Sequence, residues 1–286
     1  AARRHALSLR DLLIAYLPRY APVAARLAPL FNLRDRVPGL AALSEILLGI
    51  SARRSLPRWR RDIFDPSESA FGPESGREVV LFADTFNRYH EAGHLDAALA
   101  VLTRAGYRVH LARPEGGGRP LCCGRTFLSA GLVEEAKAEA ARSIAALLPF
   151  ARRGVPVVGL EPSCLLTFRD EIPAMQPGAD AKLLAGQTLL FEEFIAREME
   201  AGHFDPPLGP IAAKALLHSH CHQKAFDTTG AVLRVLRRIP GLGVEHVESS
   251  CCGMAGAFGY QRESVDISFA MAELSLLPAL RKAEGD

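Results

Sequence analysis

Two pairs of adjacent cysteines, each followed by glycine, are the residues of this sequence best suited to chemistry. The two stretches are PLCCGR, with Cys122, Cys123 and Gly124, and SCCGMAG, with Cys251, Cys252 and Gly253. Neighbouring cysteines seldom bond to each other, because a disulfide there strains the peptide between them. Their thiolates can instead hold metal atoms, and the glycine allows unusual backbone dihedrals and a close approach of main-chain amides to sulfur. Since the pattern occurs twice, coincidence explains it poorly.

The other two of the six cysteines are Cys164 and Cys221. Six cysteines without a secretory signal indicate a reducing compartment, where clustered thiols bind metal or perform redox chemistry more often than they form disulfides. Thiolate-rich sites suit zinc or iron–sulfur clusters. Neither the paired C-x-x-C of zinc ribbons nor the C-x-x-C-x-x-C run of bacterial ferredoxins is present. The spacing alone therefore leaves the metal open.

Three histidines surround Cys221 in the stretch HSHCHQK, namely His218, His220 and His222. Residues two apart on a strand share a face, so His220 and His222 would both face away from Cys221 if the strand continued that far. One of them is a candidate ligand or proton acceptor. The alternative is a polar loop that orders the site through hydrogen bonds.

Other polar residues near the cysteines carry weaker signals. Glu161 in EPSC is a candidate oxygen ligand, and a supporting or surface carboxylate explains it equally well. His90 and His94 lie four apart, and helix capping or surface placement explains them better than metal binding. The glycine-rich stretch 114–120 lacks the lysine and serine of a phosphate loop, so it predicts only a flexible connection.

The elements that must position these residues alternate between strand and helix. Apolar runs predict strands at 78–84, 107–113, 155–162, 213–221 and 243–249, and amphipathic spacing predicts helices at 94–106, 132–148 and 229–239. The cysteines follow strands, at the edge where parallel sheets form their sites. The predicted fold class is α/β, with two tandem pseudo-repeated modules on short, largely parallel sheets, preceded by a helical N-terminal arm.

An internal repeat relates the two modules. Thr85 and Cys221 occupy matching places after the first strand of each module, and a Cys-Cys-Gly stretch follows in both. We expect a helical arm over residues 1–64, a linker over 65–77, the first module over 78–205 and the second over 206–286. Cys164 lies 41 residues after Cys123, and the same interval from Cys252 passes the last residue. We therefore expect a truncated second module in a piece of a longer protein.

The basic charge of the chain is concentrated in its first part. Residues 1–64 carry twelve arginines and four acidic residues, whereas the whole chain has a net charge of +2. Such a segment could contact nucleic acid, a membrane surface or an acidic partner domain, but a solvated helical arm explains it better. Few aromatic residues interleave with the arginines, so we expect no nucleic-acid partner.

Hydropathy and cysteine usage together give an expected location. No apolar run reaches the roughly 20 residues needed to cross a bilayer. The sequence also begins without an apolar signal segment. We expect a cytoplasmic protein without a transmembrane segment, with peripheral association at the inner face of the membrane left open.

The duplicated motif, over residues 78–286, resembles the cysteine-rich CCG domain found in heterodisulfide reductases, in glycolate oxidase iron–sulfur subunits and in FAD-linked D-lactate or D-2-hydroxyglutarate dehydrogenases. The arm, with LPRYAPVAARLAPLFNLRDRVPGL, resembles the linker that follows a ferredoxin-like domain in the large dehydrogenases. The resemblance implies the iron–sulfur electron-transfer region of an FAD-linked 2-hydroxyacid dehydrogenase, which passes electrons from flavin to an unknown acceptor. FAD and ferredoxin-like domains would lie upstream in the same polypeptide. The fragment alone is not expected to act as a dehydrogenase.

The resemblance also implies an iron–sulfur cluster, either 4Fe-4S or a variant. Its ligands, carried over by position, are Cys122, Cys123, Cys164, Cys221, Cys251 and Cys252. Thr85 replaces the opening cysteine of module one, and Glu161 replaces the first cysteine of its closing pair. Since module one retains three thiolates, we expect the two modules to share one centre. The alternatives are a zinc-stabilised structural or docking domain and a thiol–disulfide redox protein of the heterodisulfide reductase type.

Overall fold

The computed structural model of the chain describes residues 7–249 and 251–283. These residues form two compact units. Unit 1 contains residues 7–28 and 58–206, and unit 2 contains residues 29–57, 207–249 and 251–283. The segment before residue 58 is thus divided between the two units.

The elements are numbered along the chain. Within the described residues the helices are α1 (Leu9–Ala15), α2 (Leu17–Arg26), α3 (Ala28–Phe31), α4 (Leu40–Leu48), α5 (Thr85–Tyr89), α6 (Ala92–Arg104), α7 (Arg125–Ser129), α8 (Val133–Arg152), α9 (Pro162–Arg169), α10 (Glu171–Met175), α11 (Ala179–Gln187), α12 (Phe191–Glu200), α13 (Cys221–Ala225), α14 (Thr229–Arg237), α15 (Val265–Glu273) and α16 (Leu276–Ala283). The strands are β1 (Ala70–Phe71), β2 (Glu78–Leu81), β3 (Arg108–Leu111), β4 (Val157–Gly159), β5 (Thr188–Leu190), β6 (Ala213–Leu217) and β7 (Leu242–His246).

Unit 1 is built on a five-stranded sheet with the order β1-β3-β2-β4-β5. Strands β2, β3, β4 and β5 run parallel, in the register that pairs Val80 with both His110 and Val157. Val79, Val80 and Leu81 of β2 are fully buried, as expected for a central parallel strand. Helices α6, α8, α9 and α12 pack against the sheet. The predicted α/β fold with a short, largely parallel sheet is therefore confirmed.

Two residues of the expected linker 65–77 form a strand. Ala70 and Phe71 of β1 pair antiparallel with His110 and Val109 of β3. A strand of two residues carries no readable periodicity, and the surrounding Pro, Ser and Gly residues indicated only a connection. The stretch adds an edge strand to the sheet of unit 1.

Unit 2 is built on a two-stranded parallel sheet of β6 and β7, paired from Ala213 with Leu242 to Leu217 with His246. Helix α14 packs against β7. The strand expected over 213–221 ends at Leu217, because the chain turns there into the short helix α13.

Four helices precede residue 58, which confirms a helical N-terminal region, and α1, α2 and α3 contribute buried residues. Helix α1 begins at a capping box between Ser8 and Asp11. In unit 1, Ala15 of α1 packs with Phe127 and Ala136. In unit 2, Ile50 of this segment pairs with Gln261 in an isolated antiparallel bridge.

In the described part of the chain, no helix is long and apolar enough to cross a membrane.

Candidate functional site

Three cysteines of unit 1 lie beyond the carboxyl ends of its parallel strands. Cys122 and Cys123 follow β3, and Cys164 lies in the first turn of α9, after β4. All three are buried, with exposed fractions of 4%, 2% and 3%. Hydrogen bonding with Cys122 and with Cys164 acts on the pKa of the Cys123 thiol, which places this thiol beside both of them. These three thiols therefore form one group, called here the first thiol group.

Unit 2 carries the second thiol group, which consists of Cys221, Cys251 and Cys252 and shares the Cys-Cys-Gly turn with the first group. Cys221 is the first residue of α13, after β6, and the other two follow β7. The Sγ atoms of Cys221 and Cys251 are 3.8 Å apart. The charge of Cys252 acts on the Cys221 thiol as well. Cys221 is exposed and its two partners are half-buried, so this group is open to solvent.

Each Cys-Cys-Gly turn rests on the backbone of a helix. Gly124 has a φ of +85°, and a Cβ there would lie 2.8 Å from the carbonyl oxygen of Ala136 in α8. Gly253 has a φ of +78°, and a Cβ there would overlap the carbonyl oxygen of Ser268 in α15. Glycine is required at both positions by the left-handed backbone and by the close approach of the helix.

Each turn also directs a main-chain amide at sulfur. The Gly124 N–H donates to the Sγ of Cys122 at 3.4 Å, and the Gly253 N–H donates to the Sγ of Cys251 at 3.3 Å. Amide donors of this kind stabilise negative charge on sulfur, and they tune the potential of a bound cluster. The two groups thus share a local design as well as a residue pattern.

The thiols of the first group are held protonated at neutral pH. The hydrogen bond with Cys123, followed by burial, raises the pKa of Cys122 well above its ordinary value. Hydrogen bonding with Cys122 lowers the pKa of Cys123. Hydrogen bonding with Cys164 and burial outweigh this effect and raise the pKa well above its ordinary value. For Cys164 the bond with Cys123 lowers the pKa, while burial and the carboxylates of Asp84 and Glu161 raise it to about 12. A metal must therefore displace protons here.

In the second thiol group, the pKa of Cys221 is also raised. Burial first, and then the hydrogen bond and charge of Cys251, raise the pKa of Cys221. The charge of Lys224 opposes this and lowers it.

Thr85 occupies the position in unit 1 that Cys221 occupies in unit 2. Each is the first residue of a short helix, α5 or α13, and each lies four residues after the end of its strand. Thr85 is buried, with an exposed fraction of 6%. This geometry supports the relation between the modules that the spacing predicted.

Asp84 is a buried carboxyl group that the sequence analysis missed. It precedes Thr85 and caps α5, where its Oδ1 accepts hydrogen bonds from the N–H groups of Phe86 and Asn87, both at 2.9 Å. Burial raises its pKa to about 6, against the lowering effect of these bonds. The signal available in the sequence was an aspartate placed directly between a buried strand and a helix.

Glu161 caps the helix that carries Cys164. Its Oε1 accepts hydrogen bonds from the N–H of Ser163 at 3.0 Å and from the Oγ of Ser163 at 2.5 Å. Its charge raises the pKa of Cys164, so the carboxylate lies near the first thiol group. Glu161 thus caps α9, and its role as an oxygen ligand or as a supporting carboxylate stays a prediction.

A second missed carboxylate, Glu139, lies fully buried on α8. Arg119 donates to both its oxygens, at 2.9 and 2.7 Å, and Arg142 donates to Oε2 at 2.8 Å. One turn further along α8, the Ser143 Oγ donates to the carbonyl oxygen of Cys122 at 2.8 Å. The helix that supports Gly124 is thus bonded to the cysteine loop at several points. Contacts between distant residues gave no sequence signal.

None of the three histidines around Cys221 lies on a strand: His218 and His220 are in the loop between β6 and α13, and His222 is in α13. His220 precedes α13, and its Nδ1 accepts a hydrogen bond from the N–H of His222 at 3.2 Å. The Nδ1 of His218 is 2.7 Å from the Oγ of Ser249, and burial, with Lys224 nearby, lowers its pKa. Since β6 ends before these residues, the expectation that two of them share a strand face does not apply. Their contacts are those of a hydrogen-bonded loop.

His90 and His94 have separate partners. The Nδ1 of His90 is 3.0 Å from the carbonyl oxygen of Arg58, and the Nδ1 of His94 is 3.2 Å from the Oδ1 of Asn87. His90 ends α5, as the capping interpretation expected, but it is buried rather than on the surface.

No three or more His, Cys, Asp or Glu side chains within residues 7–249 and 251–283 are arranged to hold one metal ion.

Comparison with protein families identifies part of the chain. Residues 215–281 match the cysteine-rich domain family CCG, which confirms the resemblance found from the duplicated motif. This match contains the whole second thiol group. No solved structure matches the chain.

Characterised relatives are similar over most of the chain. It is 27% identical over 268 residues to one subunit of the anaerobic glycerol-3-phosphate dehydrogenase of Escherichia coli (strain K12), a match that covers 92% of this chain and 66% of the relative. It is 24% identical over 300 residues to D-2-hydroxyglutarate dehydrogenase of the same organism, covering 98% of this chain and 27% of the relative. The corresponding enzyme of Pseudomonas putida is 32% identical over 208 residues, covering 72% and 19%. The chain therefore spans less than two thirds of the length of these relatives.

Proposed function

We propose that the chain is an iron–sulfur electron-transfer region of an FAD-linked dehydrogenase, which carries electrons from flavin to an acceptor. The observation that carries this proposal is the repeated thiol group. In each unit three cysteines follow parallel strands, and two of them belong to a Cys-Cys-Gly turn whose amide donates to sulfur. Relatives named as dehydrogenases support the same role.

The donor set fits an iron–sulfur cluster. All six candidate ligands are free thiols, which suit iron–sulfur clusters and zinc better than they suit hard cations. The two amide–sulfur contacts provide the hydrogen bonds that iron–sulfur sites use to adjust their potential. The six candidates are Cys122, Cys123, Cys164, Cys221, Cys251 and Cys252. A bound cluster would supply one-electron transfer.

The surrounding residues would fix the ligands and control solvent access. Gly124 and Gly253 have a left-handed backbone and no side chain, so each turn can lie directly against α8 or α15. This contact would fix the positions of the neighbouring thiols. Burial of the first thiol group excludes water from its sulfur atoms. The second thiol group, with Cys221 exposed, is the side on which an electron could reach an external acceptor. Thr85 and Glu161 would line the first group without replacing a thiolate.

The compounds named in the relatives support a proposal for the substrate class. Glycerol-3-phosphate, D-2-hydroxyglutarate and lactate appear in the names of three of them. Each compound carries a secondary hydroxyl group whose oxidation releases two electrons, and flavin can divide such a pair into single electrons for a cluster. We propose a secondary alcohol, with a 2-hydroxy acid as the first candidate.

The flavin would come from outside the 286 residues. The chain covers 27% of the E. coli D-2-hydroxyglutarate dehydrogenase, so FAD and ferredoxin-like domains upstream in one polypeptide are one arrangement. A separate flavin-binding chain is the other, because the glycerol-3-phosphate relative is itself named as one subunit of its enzyme. We place the protein in the cytoplasm, where free thiols persist, with the inner face of the membrane as a further location.

The deciding experiment is anaerobic purification of the chain followed by joint measurement of iron, sulfide and zinc. Electron paramagnetic resonance after oxidation and after reduction would accompany the analysis. We expect iron and sulfide in matched amounts, with a signal that changes with redox state. Zinc alone, without a redox-active signal, would contradict the proposal and support a structural metal domain.

A further inference from the structure

Arg54 lies against the cysteine loop of unit 2, although it is about 200 residues away in sequence. Its Nη1 contacts the Sδ of Met254, the residue directly after Gly253. Its Nη2 donates to the Oγ of Ser268 in α15 at 2.9 Å. The guanidinium therefore joins the end of the Cys-Cys-Gly turn to the helix that supports it.

The guanidinium of Arg54 also packs against an aromatic ring. Its Cζ lies 4.2 Å from the centroid of the Phe269 ring, within the range of a cation–π contact. Its Nε is buried and has no hydrogen-bond partner among the described residues. A planar fork with a stacked face and two contacts leaves little freedom for the side chain.

The backbone that carries Arg54 is fixed within unit 2. Arg34 donates to the carbonyl oxygens of Ser51, at 2.6 Å, and of Arg54, at 3.2 Å. The N–H of Ser51 donates to the carbonyl oxygen of Tyr260 at 2.8 Å. The segment 51–54 is thus held by Arg34, which precedes it in sequence, and by Tyr260, which follows the cysteine loop.

We propose that Arg54 is a positioning residue for the cysteine turn at Cys251, Cys252 and Gly253. This inference rests on the proposed function in so far as the turn holds a cluster. Arg54 acts by keeping Met254 and Ser268 together, which seats Gly253 on α15 and keeps its N–H directed at the Cys251 sulfur. The shape of the guanidinium fork carries this role, so lysine cannot replace it.

Arg53 provides a matched control in the neighbouring position. Its Cζ also approaches the Phe269 ring, at 5.0 Å, but its guanidinium pairs with Asp266 on the surface. It touches the same ring and has the same charge, yet it makes no hydrogen bond to the cysteine turn in the described structure. Replacing Arg53 removes a positive charge and a contact with the Phe269 ring, but it leaves the contacts of Arg54 with Met254 and Ser268 in place.

The test compares Arg54→Lys, Arg54→Met and Arg53→Met in the full chain. In reduced, metal-free protein, the alkylation rates of Cys251 and Cys252 by iodoacetamide are followed by mass spectrometry. We expect both Arg54 variants to react about fivefold faster than the parent, as expected when a hydrogen-bonded contact that closes the turn is lost. Arg53→Met should react at the parent rate. In iron-loaded protein, both Arg54 variants should shift the midpoint potential of the cluster.

Parent-like alkylation and potential in Arg54→Lys would overturn the positioning role, since charge alone would then suffice. Equal effects of Arg53→Met and Arg54→Met would overturn it as well. Met254→Leu, which removes the sulfur contact and keeps the volume, replaces Arg54→Met if that variant does not fold, and it should also accelerate alkylation. If the parent chain takes up no iron and sulfide, the proposed function fails, while the alkylation rates still decide the role of Arg54.

Discussion

At the scale of single residues, Cys123 has the central place in the first thiol group, because both Cys122 and Cys164 act on the pKa of its thiol. Two partners make it the cysteine whose loss should disturb the group most. Cys252 follows Cys251 directly at the second turn, where the same pattern recurs. These positions lead to a prediction about cluster binding.

Cys123→Ser and Cys252→Ser should each abolish the visible absorption of the iron-loaded chain, because a hydroxyl oxygen is a poor replacement for a thiolate on iron. Cys164→Ser should leave a weaker centre. The measurement is absorbance and iron per chain after anaerobic reconstitution. Thr85→Cys is the complementary variant, since it restores a thiol at a position equivalent to Cys221, and it should bind at least as much iron. Parent-like absorption in Cys252→Ser would contradict the assignment of the second thiol group.

Asp84 predicts a pH dependence of stability. Its pKa is raised from 3.8 to about 6 in the folded chain, so folding favours the protonated carboxyl. The contribution of Asp84 to the unfolding free energy should therefore be fully present below pH 4 and be lost as the pH rises through 6, a change of about 3 kcal/mol from this group. Asp84→Asn should flatten the curve between pH 4 and 6. Urea unfolding of the metal-free chain at several pH values measures both curves, and parallel curves would show that Asp84 does not titrate as described.

At the scale of elements, the seating of each Cys-Cys-Gly turn on a helix is the main constraint. Gly253 and Gly256 both have positive φ, of +78° and +64°. A Cβ on Gly253 would overlap Ser268, whereas a Cβ on Gly256 would meet no atom within 4 Å. The two positions therefore separate backbone strain from crowding.

Gly256→Ala should lower the unfolding free energy by about 1 kcal/mol, the cost of a left-handed backbone with a side chain. Gly253→Ala should lower it by more than about 2 kcal/mol and also reduce iron uptake, because α15 must move away from the turn. Denaturant unfolding and iron content measure the two effects. Equal losses in both variants would show that crowding against α15 plays no part.

Much of this element structure is readable from the sequence. Apolar runs located β2, β3, β4, β6 and β7, and the following Cys-Cys-Gly stretches marked the carboxyl edge of the sheets. The end of β6 at Leu217 was not readable, because HSHC continues the alternation that a strand would have. The roles of Arg54 and Glu139 were not readable either. Each depends on side-chain contacts set by tertiary packing, and a local pattern contains no record of them.

At the scale of the whole molecule, the segment before residue 58 belongs to the units rather than preceding them. Ala21 and Ala25 of α2 pack with Tyr89 in unit 1, and Trp59 lies against the same cluster. In unit 2 the segment carries Ser51, which is almost fully buried. Removing the segment would expose apolar surface in unit 1.

A chain that begins at Arg58 should therefore lose its cooperative thermal transition. Trp59, the one tryptophan in the sequence, should show a red-shifted emission, because the ring contact with Tyr20 at 5.9 Å and the packing of α2 are gone. Circular dichroism and fluorescence of the shortened and full chains measure these changes. If the segment before residue 58 were only a linker, the shortened chain would keep the stability and the emission of the full chain.

The unequal exposure of the two thiol groups has a consequence for damage by air. Cys122, Cys123 and Cys164 are shielded from dissolved oxidants, whereas Cys221 is open to them and lies 3.8 Å from the sulfur of Cys251. A sulfenic acid formed by peroxide at Cys221 can condense with the Cys251 thiol, releasing water and leaving a disulfide. Brief exposure would then inactivate the second group reversibly, and a thiol reductant would restore it. Such a disulfide would spare the sulfur atoms from irreversible oxidation to sulfinic acid.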